Sequence, residues 1–387
     1  MSGQFDTAVP AGAEGGKNHI KLLKRLCEIS GPTGSEERVR EKIERRLRAS
    51  GFEPQGDRCG NLILKIPGSG DGYDAENPVR VMVSAHMDEV GVIINDITGE
   101  GYLKFACLGG IDPRVLCGRT VVISGKDGDV KGVISAKAVH HLSRDERSKT
   151  TQLSSMYIDI GAASADDAKK YVSVGDSGTF DSEFILFGEN DAYIKSKAID
   201  DRLGCAVIIL TAEKLMRENT ELPFDLYCCF TVREEIGKTG ARMVASAIDP
   251  DHAVILESTA IGDLPDVDQN CRVASVGSGG VISLLDRSTI YDRDMVDGCL
   301  RIAGEAGIPV QVKKYVSGGN DAGSVHKTGP GLRCLAISAP VRYLHASCSV
   351  AAVSDYRAMT DLLPEFLKKY PFSRKAGLDA RTGTEEQ

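Results

Sequence analysis

The chain has 387 residues, enough for two domains with separate hydrophobic cores. Its 42% hydrophobic and 26% charged content exclude wholesale disorder. A formal net charge of -8 with no Lys/Arg tract argues against nucleic acid or an anionic membrane as partner, and no apolar run approaches the roughly 20 residues that span a bilayer.

From the N-terminus, Met1 to Gly16 is Gly/Ala-rich and carries no apolar signal core. His19–Ser30 places Ile20, Leu23, Leu26 and Cys27 on one side, as an amphipathic helix does. Ser30–Gly34 breaks it. Thr33 followed by Glu36 predicts a capping box opening a second, highly charged helix over Glu36–Leu47. Val79–Ser84 is a continuous apolar run, suited to a strand buried on both faces. From about Ile93 to Phe187 short β-like runs follow: Thr120–Ser124, Val130–Ala136, Met156–Ile160 and Ser177–Phe180. Glycine and Asp/Gly turns separate them, a pattern that predicts a small β-barrel or sandwich. The α/β pattern then resumes with a helix over Arg202–Glu218, a strand over Leu226–Val232, a helix over Lys238–Ala247 and a strand over Ala253–Leu256.

The simplest architecture is one α/β domain interrupted by an inserted β domain: a catalytic domain over 17–92 and 189–372, the insertion over 93–188, and a flexible polar tail over 373–387. Eleven cysteines, most of them in apolar segments and none in a CxxC motif, predict reduced thiols and a cytoplasmic location.

The apolar runs share one feature: each is followed by residues that bind metals. His86 and Asp88 follow Val79–Ser84, Glu234–Glu235 follow Leu226–Val232, Glu257 closes Ala253–Leu256, and His345 comes after Cys334–Ser338. Asp200–Asp201 opens a helical segment. In open α/β sheets the carboxyl ends of the strands form the ligand crevice, so these residues can converge. Two histidines with several carboxylates suit Zn²⁺, Co²⁺ or Mn²⁺.

Taken singly, each has a plain structural account: a turn histidine, an acidic helix start favoured by the helix dipole, a loop-exposed acidic pair. Glu257 is less easily explained, because burying an unpaired carboxylate costs several kcal/mol. In the pair Glu234–Glu235 one glutamate can bind metal while the other moves a proton. The Gly-rich run around Asp321 and His326 is a candidate substrate-pocket wall.

The set SAHMDEVG (84–91), KAIDDRLG (197–204), TVREEIGKTGA (231–241), VILEST (254–259), SGGNDAGSVH (317–326) and RYLHAS (342–347) resembles the M42 family of metallo-aminopeptidases, over about Ile20 to Tyr370. The resemblance implies a zinc-exopeptidase-like α/β catalytic domain with a mixed sheet, and an inserted small β-barrel that serves dimerisation. It implies peptide substrates and two divalent ions per subunit (Zn, Co or Mn): His86 and Glu257 on one, Glu235 and His345 on the other, Asp200 bridging. Glu234 matches the general base on a metal-bridging water and Asp88 the orienting carboxylate. It further implies a homo-oligomer, a dimer-based dodecamer enclosing its active sites, with no nucleic-acid or membrane partner. The chain departs from the family's pattern at Glu257, where aspartate is common.

Three rival functions keep part of this reading: a non-peptide metal-dependent amidohydrolase or deacylase, a glycosidase, and a catalytically inactive scaffold. A glycosidase needs carboxylates roughly 5–10 Å apart across a sugar bond and has no use for histidine ligands.

Overall fold

The computed structural model describes residues 13–374 apart from Lys314; most of the polar tail expected over 373–387 lies outside the described residues. Helices α1 (Ala13–Glu28) and α2 (Glu37–Ala49) precede strands β1 (Gln55–Gly56), β2 (Leu62–Ile66) and β3 (Arg80–His86). Six strands follow: β4 (Gly91–Ile97), β5 (Leu103–Leu108), β6 (Thr120–Gly125), β7 (Gly128–Ser135), β8 (Tyr157–Asp159) and β9 (Ser177–Phe180). Short helices α3 (Arg144–Arg147) and α4 (Ala165–Tyr171) sit in their connections. After β10 (Ile185–Phe187) and β11 (Tyr193–Ser196) come α5 (Ile199–Arg217), β12 (Asp225–Thr231), α6 (Thr239–Ile248) and β13 (His252–Ala260). The chain ends with β14 (Gly280–Ile282), α7 (Arg293–Ala306), β15 (Val310–Val312), α8 (Ala322–Val325), β16 (Arg333–Val341), β17 (Ser349–Ala352) and α9 (Val353–Lys369).

One eight-stranded mixed sheet runs β1-β2-β12-β3-β13-β16-β14-β15. Its centre, β12-β3-β13-β16, is parallel, with register pairs Thr231↔His86, Ser84↔Ile255 and Glu257↔Ser338. These strands are covered on both faces, which is why β3 and β13 read as unbroken apolar runs rather than alternating ones. Helix α5 is buried around its whole circumference from Leu203 to Ile209 and packs against β3, β13, α1 and α9. All four parallel strands point their carboxyl ends at the same edge, and the candidate ligands gather there.

The inserted strands close into a six-stranded antiparallel barrel, β4-β5-β8-β7-β6-β9. It has its own core, with Val92, Ile94, Phe105, Ile123, Ile134 and Ile158 at its centre. The barrel closes where β9 passes between β4 and β6, and only glycine fits there: a Cβ on Gly178 would stand 2.7 Å from the Val122 carbonyl oxygen. The insertion therefore folds around its own apolar interior, and the chain leaves and re-enters the sheet domain next to the ligand cluster. Among the described residues, no helix is long and apolar enough to cross a membrane.

Two expectations are corrected. The capping box does not form. Helix α2 starts at Glu37 with no side-chain cap, because Thr33 donates its hydroxyl proton to Asp88 Oδ2 (2.7 Å) and Glu36 accepts from Gly34 N and Arg233 N. Tertiary partners outcompete the local cap. Glu257 does not close its strand either: β13 runs on to Ala260 because pairing with β16 continues past it.

At the start of β13 a buried histidine should make stability depend on pH. His252 is buried against Phe372 and Tyr370, with Nε2 2.7 Å from the Ser373 carbonyl oxygen. Burial lowers its pKa below the ordinary 6.5, outweighing the Ser373 contact. The folded state thus binds fewer protons here than the unfolded state. The contribution is complete above the unfolded value and is lost as pH falls through the lowered one. Urea midpoints should fall as pH drops below 6.5, and His252→Phe should remove that part of the slope; equal slopes in both proteins would reject the assignment.

Candidate metal centre

His86 is the last residue of β3 and is 1% exposed. Its Nδ1 lies 3.1 Å from the Asp88 carbonyl oxygen. A carbonyl only accepts, so Nδ1 carries the proton and Nε2 presents its lone pair. Nε2 stands 3.3 Å from both Asp200 Oδ1 and Glu257 Oε1, yet makes no hydrogen bond.

His345 repeats the arrangement. Its Nδ1 lies 3.1 Å from the Gly110 carbonyl oxygen, on the loop after β5, and its Nε2 is 3.3 Å from both Asp200 Oδ2 and Glu235 Oε1. Asp200 therefore stands between two imidazoles, one oxygen to each. Donor atoms of His86, Asp201 and Glu257, and of His86, Asp200 and Glu235, also lie within 4.8 Å of one another, so both aspartates of the pair are within reach.

Seven carboxylates converge here: Asp88, Asp200, Asp201, Glu234, Glu235, Glu257 and Asp321. Several of their oxygens are buried without a partner: Asp200 Oδ1, Asp201 Oδ2, Glu257 Oε2 and Asp321 Oδ1. Orphaned buried acceptors facing imidazole lone pairs are costly unless a cation joins them. Burial and then Asp200 push Glu235 up to about 8. On His345 burial opposes charge, yet Asp200 and Glu235 raise it to about 9. Without a cation the crowded charges favour protonated forms of these groups, and a divalent cation would displace such protons and leave the Nε2 lone pairs free. The residues present fit such a group.

Asp88 is fully buried and acts through the backbone. Oδ1 accepts from Glu234 N (3.1 Å), and Oδ2 accepts from Glu235 N (3.1 Å) and Thr33 Oγ1. Burial disfavours its charge, but His86 and these donors hold its carboxyl below the usual range. Glu234 makes no histidine contact; its carboxylate lies 3.1 Å from Lys238 Nζ at the wall of a cavity of about 260 Å³ that also exposes Asp200, Glu235, Glu257 and His345.

Asp321 and His326, expected at the substrate, do not line this cavity. Asp321 accepts from Thr231 Oγ1 (2.9 Å) beneath it, pushed up to about 7 by burial and Glu234. His326 Nδ1 turns back to the Ala322 carbonyl oxygen. Gly318, Gly319 and Asn320 of the same Gly-rich run do line it, as do Ser258 and Ser317, and so do two lysines given no role in the sequence, Lys238 and Lys313. Lys313 is 8% exposed and donates to the Ser317 carbonyl oxygen (2.7 Å). Burial lowers its pKa, with Asp286 and Glu257 drawing it back. A lysine following a short strand gave no local signal.

A mixed sheet with a parallel centre, an antiparallel barrel and a carboxylate–histidine cluster at the strand ends are the parts of an α/β hydrolytic enzyme. A sequence model of the M42 glutamyl aminopeptidase family matches residues 60–362. A protein of Acetivibrio thermocellus is 36% identical over 344 residues, covering 89% of this chain and 97% of its own. The TET aminopeptidase of a marine-sediment Thaumarchaeota archaeon superposes with a TM-score of 0.87 at 32% identity, over 92% of this chain and 97% of that one. The TET1 peptidase of Pyrococcus horikoshii, which can assemble into a tetrahedron or a large octahedral shell, gives 0.79 at 32% identity, over 91% and 99%. The chain belongs to the M42 glutamyl aminopeptidase family and is a peptide hydrolase of the aminopeptidase class.

Proposed function

We propose that this aminopeptidase works with two divalent cations, Zn²⁺, Co²⁺ or Mn²⁺, one held by His86 and Glu257, the other by His345 and Glu235, with Asp200 shared. The observation that carries this reading is Asp200 itself, with one carboxylate oxygen 3.3 Å from each Nε2. When bound, such cations acidify the attacking water and polarise the scissile carbonyl. The chain's own part is then proton movement and positioning. Glu234 takes a proton from the water as its oxygen bonds to the carbonyl carbon, and returns it to the leaving amine as the C–N bond breaks. Asp88 fixes the backbone of Glu234 and Glu235, and Lys238 steadies the Glu234 carboxylate.

The cavity favours an acidic N-terminal side chain. Lys313 supplies a buried ammonium, while the Ser258 and Ser317 hydroxyls are buried without partners. Asp286, the one nearby acid outside the ligand cluster, has both oxygens occupied by Ser288, Thr289 and Tyr291. The test is a panel of aminoacyl-p-nitroanilides, assayed after chelation and re-addition of single metals. Glutamyl and aspartyl substrates should lead it, and Lys313→Met should lower their kcat/KM by about 30-fold or more while leaving leucyl turnover within about threefold. Activity that survives chelation, or a lysyl preference, would sink this reading.

The inserted unit over 93–188 serves as the dimerisation domain of a dimer-based dodecamer. Exposed Val133, Tyr171 and Val174 on the barrel support a role in subunit contact, and the assembly of the Pyrococcus horikoshii enzyme into a tetrahedron or a large octahedral shell supports a homo-oligomer. Eleven free cysteines fit the reducing cytoplasm.

A further inference from the structure

Glu89, Lys197 and Arg202 are 2%, 3% and 0% exposed, and no step above uses them. Lys197 Nζ donates to Glu89 Oε1 (2.7 Å), Glu89 Oε2 (3.0 Å) and the Ile29 carbonyl oxygen (3.0 Å). Glu89 also accepts from Gly31 N (3.2 Å), from Arg202 Nη2 (3.4 Å) and, across the domain boundary, from Thr179 Oγ1 of β9 (2.7 Å). Arg202 donates from Nε to the Met87 carbonyl oxygen (2.6 Å) and from its other nitrogens to those of Leu26, Ile29 and Gly31.

The positions of these residues matter more than their number. Glu89 lies where the chain leaves β3 for the barrel, three residues after His86. Lys197 lies where it returns, three residues before Asp200. Their ion pair ties the two crossings together, and Arg202 holds the carbonyl between His86 and Asp88. Apolar side chains of similar volume would secure a fold at least as well as a buried ion pair. What charge and hydrogen-bond direction add is a fixed separation.

We propose that Glu89 and Lys197 are positioning residues for the hydrolysis: the pair sets the spacing between the His86–Asp88 turn and Asp200, and Thr179 makes that spacing depend on the seating of the barrel. The inference rests on the reading of His86 and Asp200 as ligands.

The test uses the full-length, cobalt-reconstituted protein as wild type, Glu89→Gln, Lys197→Met, the double variant and Thr179→Val. It measures kcat, KM, cobalt affinity by calorimetry and melting temperature. Each single charge variant should lose about 10–100-fold in kcat and in cobalt affinity, the range seen when partners of metal ligands are removed, with KM within about twofold. The double variant removes both charges of the pair, leaving Arg202 held by its four carbonyl oxygens, and should recover part of the melting temperature lost in the singles while kcat stays at least about tenfold down. Thr179→Val should melt like wild type and lose about threefold in kcat. A stable double variant with wild-type kcat and cobalt affinity would show a pair that only holds the fold, and overturns the proposal. Should the double variant not fold, unchanged kcat and cobalt affinity in Thr179→Val overturns it instead. A wild-type chain that binds no cobalt and works after chelation counts against the ligand reading, while the kcat comparison still decides the pair.

Discussion

Glu234→Gln should lower kcat by about 10²–10⁴-fold, the span that general-base catalysis supplies, with KM and bound metal close to wild type. The substitution is nearly isosteric, and the contacts that place the residue are mostly to its backbone: Glu234 N donates to Asp88 Oδ1 at 3.1 Å, which glutamine keeps. Neither imidazole touches the side chain, whereas Glu235 Oε1 lies 3.3 Å from His345 Nε2. The adjacent glutamates thus divide the work, because β12 has already ended at Thr231 and strand alternation no longer separates them. Metal analysis alongside stopped-time assays checks the result. Near-normal turnover with full metal content removes Glu234 from proton transfer, while loss of metal would move it into the ligand set. In either outcome Lys238, 3.1 Å from the Glu234 carboxylate, faces a neutral amide in the variant.

The contrast between these neighbours shows what a sequence carries and what it does not. Strands β3, β12 and β13 were legible because strands covered on both faces must be apolar throughout; the end of β12 fell within one residue of the expected place, whereas β3 runs on to His86 itself. That was enough to bring His86, Glu234, Glu235, Glu257 and His345 to one edge. The extent of β13 was not legible: Ser258 and Thr259 look like a turn, and only pairing with β16 carries the strand to Ala260. Contacts between distant segments were silent for the same reason. Thr33 reads as a helix cap until Asp88, far along the chain, takes its hydroxyl. The Gly110 carbonyl that orients His345 belongs to the inserted domain and has no side-chain signature at all. Lys313 and the Glu89–Lys197 pair likewise depend on which segments meet.

Asp200→Asn should remove at least one of the two proposed cations and lower kcat/KM by about a thousandfold or more, the equivalent of about 4 kcal/mol of transition-state stabilisation. An amide keeps the shape of the carboxylate but replaces one oxygen by a donor, so one of the two contacts, to His86 Nε2 or to His345 Nε2, can no longer be completed through a shared ion. Excess metal should not restore the rate, since the missing charge lies in the bridge. The companion variant Asp201→Asn separates the two adjacent carboxylates. Asp201 Oδ1 accepts from Gly204 N at 3.0 Å at the start of α5, and its other oxygen is buried without a partner beside His86 and Glu257. If Asp200 is the bridge, Asp201→Asn retains both cations and loses less activity. If instead Asp201→Asn empties the site and Asp200→Asn does not, the shared ligand is the neighbour, and the triad His86–Asp201–Glu257 replaces the arrangement proposed here. Elemental analysis of the two purified variants decides between them, because each removes a different carboxylate from reach of His86.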